Sequence, residues 1–163
     1  MQSFSNLVVF HNLIQPVVYQ NVGLPLNNSL YCTYTLFSRV KGYIVSANLR
    51  LFHQWKGNAS LYLFIVSHGM MDFSIQRRYA IKPQRNTTNW QIIDIPYGVL
   101  PVSLGSLVAV GMQGNSDDLN EIHIVNASYA MRAENINKNT VKFTHIMNGI
   151  SAPALTYTVV KTS

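Results

Sequence analysis

The sequence predicts an all-β protein: one antiparallel β-sandwich with an extended N-terminal arm or edge strand. Three observations point there. Apolar and polar residues alternate at period two through most of the chain, the spacing that lines one face of a strand. No stretch sustains a 3.6-residue period between helix caps, so no helix is expected. Turn signals recur at short intervals and divide the chain into about nine or ten strands. A length of 163 residues is enough for one domain to bury a core without disulfides or metals.

Residues 1–28 are read as the arm and residues 29–163 as the sandwich. In "NLVVFHNLIQPVVYQNVG" the apolar side chains surround Pro16, which has no amide proton and so belongs on a sheet edge. That much apolar surface does not suit a solvated tail, so part of residues 1–20 is expected to contact another subunit. "SLYCTYTLF" is a strand in which Cys32, the single cysteine, packs as a small hydrophobe. In "YIVSANLRL", Val45, Ala47, Leu49 and Leu51 fall on one side, and Ser46, Asn48 and Arg50 on the other. Gly57-Asn58 in "WKGNAS" supplies the positive-φ residues of a tight hairpin. "SLYLFIV" is apolar on both faces and reads as a central strand. Ala47, Leu49, Leu51, Leu61, Leu63 and Ile65 are the expected core. Beyond "HGMMD", the residues Phe73, Ile75, Tyr79 and Ile81 alternate with Ser74, Gln76, Arg78 and Lys82. "WQIIDI" is a strand ended by Pro96, and "PYGVLP" is a turn. "GSLVAVGMQ" is a strand whose Ala109 and Gly111 imply close approach of a neighbour. "GNSDDLN" is a turn, "EIHIVNASYAMRA" one long strand, "ENINKN" a loop, and "VKFTHIM" and "LTYTVVK" the last strands.

Composition narrows the function. Charged residues make up 11% of the chain, less than half the usual share of about 25%. Polarity rests instead on Ser, Thr, Gln and sixteen Asn. Amides and hydroxyls cost less to desolvate than charges, which favours a surface packed against copies or partners. The net charge of +6 permits an anionic partner. No basic arm of the kind that neutralises nucleic acid is present, which argues against nucleic-acid contact. The N-terminus lacks the basic and apolar regions of a signal peptide, so the sequons at Asn27, Asn58, Asn86 and Asn126 are read as unused. No apolar run is long enough for a membrane span.

Ser67, His68, Asp72 and Ser74 bring triad residue types together in "FIVSHGMMDFSIQ". A triad is assembled from distant segments, whereas Gly69 and Asp72 are turn residues, so no catalytic residue is assigned. Asn115, Asp117, Asp118 and Glu121 lack the fixed spacing of an EF-hand and read as a solvated turn. His11, His53, His68, His123 and His145 show no metal-ligand spacing, so neither metal nor cofactor is expected. Arg77, Arg78, Lys82 and Arg85 form the one basic cluster, a candidate anion or nucleic-acid patch. Alternation puts Arg78 and Lys82 on one face and Arg77 beside Tyr79 on the other. Trp55, Trp90 and Tyr97 lie at or near turns, where a ring could stack on a sugar. Asn115 and Asp117 are their candidate polar neighbours.

The order of strands and loops from "SANLRLFHQWKGNASLYLFIV" through "NWQIIDIPYGVLPVSLGSLVAVGMQ" to "NEIHIVNASYAMRA" resembles the β-sandwich jelly roll over residues 29–132. Small viral capsid and spike proteins share it, as do carbohydrate-binding modules. The segment "WQIIDIP…LGSLVAVG" is similar to the late strands of galactose-binding-like modules. The first resemblance implies a non-enzymatic virion protein whose partners are copies of itself or other virion proteins. The second implies a sugar-binding module or lectin whose partners are host glycans.

Overall fold

A computed structural model describes residues 9–11, 18–33, 37–69, 72–113, 119–126, 130–134, 136, 139–145 and 151–163. Among them there is no helix; every regular element is a strand. In chain order these are β1 (Val9–His11), β2 (Val18–Pro25), β3 (Ser29–Thr33), β4 (Gly42–Arg50) and β5 (Leu61–His68). They continue with β6 (Phe73–Ile81), β7 (Trp90–Asp94), β8 (Leu100–Val102), β9 (Leu107–Met112) and β10 (Glu121–Asn126). The last are β11 (Ala130–Glu134), β12 (Thr140–Val141), β13 (Phe143–His145), β14 (Ser151–Pro153) and β15 (Leu155–Lys161).

All pairings between these strands are antiparallel, and they make three sheets. One runs β1-β15-β4-β7 with β8 also on β4, one β14-β10-β2, and the largest β12-β6-β5-β9-β3-β11-β13. The two ends of the largest sheet, β12 and β13, are consecutive in the chain, with only Lys142 between them. The seven-stranded sheet therefore curls until its ends nearly meet, as a barrel does. Contacts across the closure hold it. The Phe73 and Phe143 rings meet edge-on at 4.6 Å, and the Ile75 N–H donates to the Asn139 carbonyl at 2.7 Å.

The curl produces two cores. Inside it lie Leu30, Cys32, Phe64, Val66, Ala109 and Met131, with Ile136 and Val141 at the closure. Burial pushes the Cys32 thiol well above its ordinary pKa. Outside it, Tyr31, Leu63, Val110 and Met112 pack against Leu49 and Tyr157 of the first sheet and Ile122 of the second. β5 is a central strand apolar on both faces because each face serves a different core. The expected core residues Ala47, Leu49, Leu51, Leu61, Leu63 and Ile65 are all buried. Gly111 shows why a small residue is needed in β9: a Cβ there would collide with the Ser29 carbonyl of β3.

Four sequence expectations are corrected. Val45 does not share the face of Ala47, Leu49 and Leu51. Thr158 pairs with Ser46 but Val159 with Ile44, so Val45 is the extra residue of a β-bulge and Ile44 points into the core in its place. A second bulge, at Gln76, splits the run on β6, because Ile65 faces Arg77 whereas Val66 faces Ile75. Directly opposed residues share a face. Phe73 and Ile75 therefore belong to the inner core, while Ile81 and Tyr79 turn to the outer one. Gly57 has the positive φ of 68° that a turn needs, yet residues 51–60 form no hairpin, since β4 and β5 lie in different sheets. Finally, "EIHIVNASYAMRA" is two strands: β10 belongs to the three-stranded sheet and β11 to the seven-stranded one.

The described part of the arm pairs within its own chain. β1 is an edge strand on β15 and β2 an edge strand on β10; Pro16 lies outside the described residues. Among the described residues no helix is long and apolar enough to cross a membrane.

Candidate functional site

The crossover from β4 to β5 packs beside the segment that leaves β6. The reason is register: Leu61 at the start of β5 pairs with Ile81 at the end of β6, so the residues before Leu61 meet those after Ile81. Two buried amides fix the walls of the gap. Asn120 accepts the Lys56 N–H through Oδ1 and donates through Nδ2 to the Lys56 carbonyl, both at 2.9 Å. Gln91 accepts the Gln84 N–H at 2.6 Å through its side-chain oxygen. Arg50 adds a brace, donating from Nε to the Thr88 carbonyl at 2.9 Å. The Trp55 indole is buried, and its N–H donates to the Ala59 carbonyl at 3.2 Å, which closes the loop on itself.

These walls enclose an open cleft of about 240 Å³ lined by Trp55, Asn58, Ala59, Ser60, Ile81, Lys82, Pro83 and Arg85. The lining combines apolar side chains (Trp55, Ala59, Ile81, Pro83) with an amide, a hydroxyl and two cations. No carboxylate lines it. Among the described residues, neither Lys82 nor Arg85 lies within ion-pair distance of a carboxylate; the acids engaged are Glu121, beside His53, and Glu134, paired with Arg132. A pair of cations beside apolar side chains suits a small ligand with one anionic group and one apolar face.

No family model, curated protein or solved structure matches this chain.

The two candidate sets read from the sequence are redistributed. Lys82 and Arg85 of the basic cluster join Trp55 of the aromatic set in the cleft. Arg78 is occupied elsewhere, donating to Asn139 Oδ1 and the Ile136 carbonyl, both at 3.1 Å, where it ties β6 to the closure of the curled sheet. Arg77 is exposed midway along β6, and its guanidinium donates to the Gln76 carbonyl at 3.3 Å. Trp90 is half-buried against the outer core. Tyr97 is 61% exposed and meets Tyr43 edge-on at 5.0 Å, near the start of β4 and far from Trp55 beyond its end. The aromatic set is therefore not one site. Asn115, Asp117 and Asp118 lie outside the described residues.

Ser67 and His68 end β5 and Asp72 immediately precedes β6, while Met70 and Met71 lie outside the described residues. The Gly69 N–H donates to the Asp72 carbonyl at 2.8 Å. The Ser67 hydroxyl accepts from Gln76 Nε2 at 2.9 Å and donates to the Ser74 carbonyl at 3.5 Å, while His68 stacks edge-on against Phe73 at 4.7 Å. A nucleophile needs a base within hydrogen-bond reach; here the hydroxyl is taken up by Gln76 and Ser74. No group of three His, Cys, Asp or Glu side chains that could hold a metal occurs among the described residues.

Asn120 and Gln91 are the positioning residues that sequence reading missed. Gln91 is a polar residue between Trp90 and Ile92, Asn120 closes the polar stretch "GNSDDLN", and nothing in a chain with sixteen Asn sets either apart.

Proposed function

We propose that the protein is a non-enzymatic structural component of a virion, a capsid, spike or accessory coat protein that works by assembling with copies of itself or other virion proteins. The observation that carries this reading is one open sheet edge. β7 and β8 follow each other along the same side of β4, and this edge and the turns beside β8 present large apolar side chains. Ile92 is 68%, Tyr97 61%, Val99 47% and Leu104 72% exposed. The only charge from residue 90 to 104 is Asp94. An exposed apolar strip of this kind marks a protein contact. Pro96 and Pro101 block backbone pairing along part of it, so side chains rather than an added strand make the contact. The dispersal of Arg77 and Arg78 away from Lys82 and Arg85 weighs against a nucleic-acid track, which needs cations in line along a backbone.

Size-exclusion chromatography with light scattering tests the proposal. The wild type should run as an oligomer, and Ile92→Lys with Leu104→Lys should shift it to monomer while near-UV circular dichroism stays unchanged. A wild-type monomer at high concentration sinks the reading.

A second reading, a carbohydrate-binding protein, is favoured by a separate observation: the Trp55 cleft, which combines apolar side chains with amide, hydroxyl and cationic groups. A glycan array tests it.

A further inference from the structure

We propose that the cleft beside Trp55 binds a single carboxylate-bearing sugar ring, a uronate-type unit of a glycan. This rests on the carbohydrate-binding reading and narrows it to one ligand class.

The size of the cleft sets the first limit. At about 240 Å³ it falls below the about 300–1,000 Å³ of drug-sized pockets, so it fits one ring rather than a nucleotide or an oligosaccharide. Its chemistry sets the second. Ile81, Pro83 and Ala59 give an apolar surface for the C–H face of a pyranose, and Asn58 and Ser60 offer donors and acceptors for hydroxyls. Lys82 and Arg85 supply the charge. A planar guanidinium matches the two oxygens of a carboxylate, and no acid of the lining competes for it. The third limit is rigidity. Asn120 holds one wall through both backbone groups of Lys56, and Gln91 holds the other through Gln84, so little ordering is left for the ligand to impose. A nucleic-acid strand would need further cations leading away from the cleft, and Arg78 is tied to Asn139 and Ile136 instead.

The experiment is ¹⁵N-edited NMR of the full chain, reading the indole N–H of Trp55, with the other indole resonance assigned by Trp90→Phe. The probes are methyl glucuronide, methyl glucoside, inorganic sulfate and an oligothymidylate. Methyl glucuronide should shift the Trp55 resonance saturably, and the glucoside, which differs only by CH₂OH for carboxylate, should bind about tenfold more weakly or worse. Lys82→Gln and Arg85→Gln should each weaken the glucuronide by about threefold or more, since both charges are exposed; Arg77→Gln should leave it unchanged. Spectra of the variants report directly whether each remains folded. Equal binding of glucoside and glucuronide at Trp55 overturns the anionic specificity and leaves the sugar reading standing. Sulfate binding as tightly as the glucuronide also overturns the proposal, because the site is then one for anions. Tighter binding of the oligothymidylate overturns it in favour of nucleic acid. No shift with any probe overturns both this proposal and the sugar reading.

Discussion

Replacing Phe64 with alanine should cost about 3–5 kcal/mol of folding stability, the range for a fully enclosed aromatic side chain. The figure follows from the curl of the seven-stranded sheet. Phe64 is 0% exposed, and it sits on the face of β5 that no other sheet covers. Its neighbours are the inner faces of its own sheet and the closing segment: Tyr62 at 6.0 Å between centroids, and Val66, Ala109, Ile136 and Val141 in the same core. An open, flat sheet would leave that face wet. With a urea m-value of about 2 kcal/mol/M for a small domain, the loss moves the unfolding midpoint down by about 1.5–2.5 M. Against a total stability of about 5–15 kcal/mol, the loss is about a third or more of the total unless the wild type is at the upper end of that range. Trp55 and Trp90 both pack in or against the outer core, so their fluorescence reports that core, and far-UV circular dichroism reports the strands. Coincident curves from the two probes mean that the cores unfold as one unit. Two controls bracket the result. Phe64→Leu keeps most of the apolar volume and should cost less than about 1.5 kcal/mol. Ile92→Ala, on an exposed strand edge, should change stability by about 0.5 kcal/mol or less. A loss below about 1 kcal/mol for Phe64→Ala would mean that solvent reaches the ring and that the sheet does not close.

Gly111→Ala should destabilise by about 1–3 kcal/mol, the cost of overpacking, because the new Cβ would lie 2.8 Å from Leu30 Cα as well as against the Ser29 carbonyl; thermal melts measure it, and an unchanged midpoint refutes the close approach of β9 to β3. His123 gives the pH dependence. Burial lowers its pKa below the ordinary 6.5, and the neighbouring Arg50 and His53 side chains lower it further; the ring packs edge-on to Phe52 at 4.9 Å. The neutral form is therefore favoured in the fold. The unfolded chain takes up the proton first as pH falls, so stability holds above pH 6.5 and is lost as pH drops through the depressed folded value. Urea melts from pH 8 to 5 on wild type and His123→Phe should show a steeper acid loss in the wild type; parallel slopes would refute it.

The strands were legible because a half-buried strand writes its burial into every second residue. Leu61, Leu63 and Ile65 announce a core face, and Phe64 and Val66 announce another. The two bulges were not legible. A single inserted residue shifts the alternation by one, and at Val45 and at Gln76 the sequence on either side still alternates. Only the partner strand, through Ile44↔Val159 and Val66↔Ile75, shows where the extra residue sits. The crossover failed for a related reason. Gly57 carries a genuine turn signal, but a local signal cannot say whether the chain returns to the same sheet or crosses to another. Here Leu51 bridges to Ile122 and the Phe52 N–H donates to the Glu121 carbonyl at 2.9 Å, so the chain is led away from β4 before it can turn back. The cleft was half legible. Trp55, Lys82 and Arg85 each stood out by chemistry, but they fell into two separate candidate sets. What unites them is the β5–β6 register, in which Leu61 opposes Ile81.

The same geometry places one end of the proposed contact strip, at Tyr97 and Leu104, away from the cleft. The exposed Tyr97 lies by Tyr43 at the start of β4, and the adjacent Leu104–Gly105 turn is held by a hydrogen bond from the Gly105 N–H to the Ser38 carbonyl at 2.7 Å. The cleft lies beyond the other end of the strand, past Arg50. Leu104 thus lies at the opposite end of β4 from the Trp55 cleft, whereas Ile92, on β7, lies next to Gln91 of the cleft wall. Substitutions at well-separated sites with no shared partner act independently. Leu104→Lys should therefore change the oligomeric mass without altering glucuronide affinity at Trp55, and Lys82→Gln should do the reverse. If Leu104→Lys also weakens the ligand, the cleft is completed by a neighbouring copy, and assembly and recognition are one function rather than two.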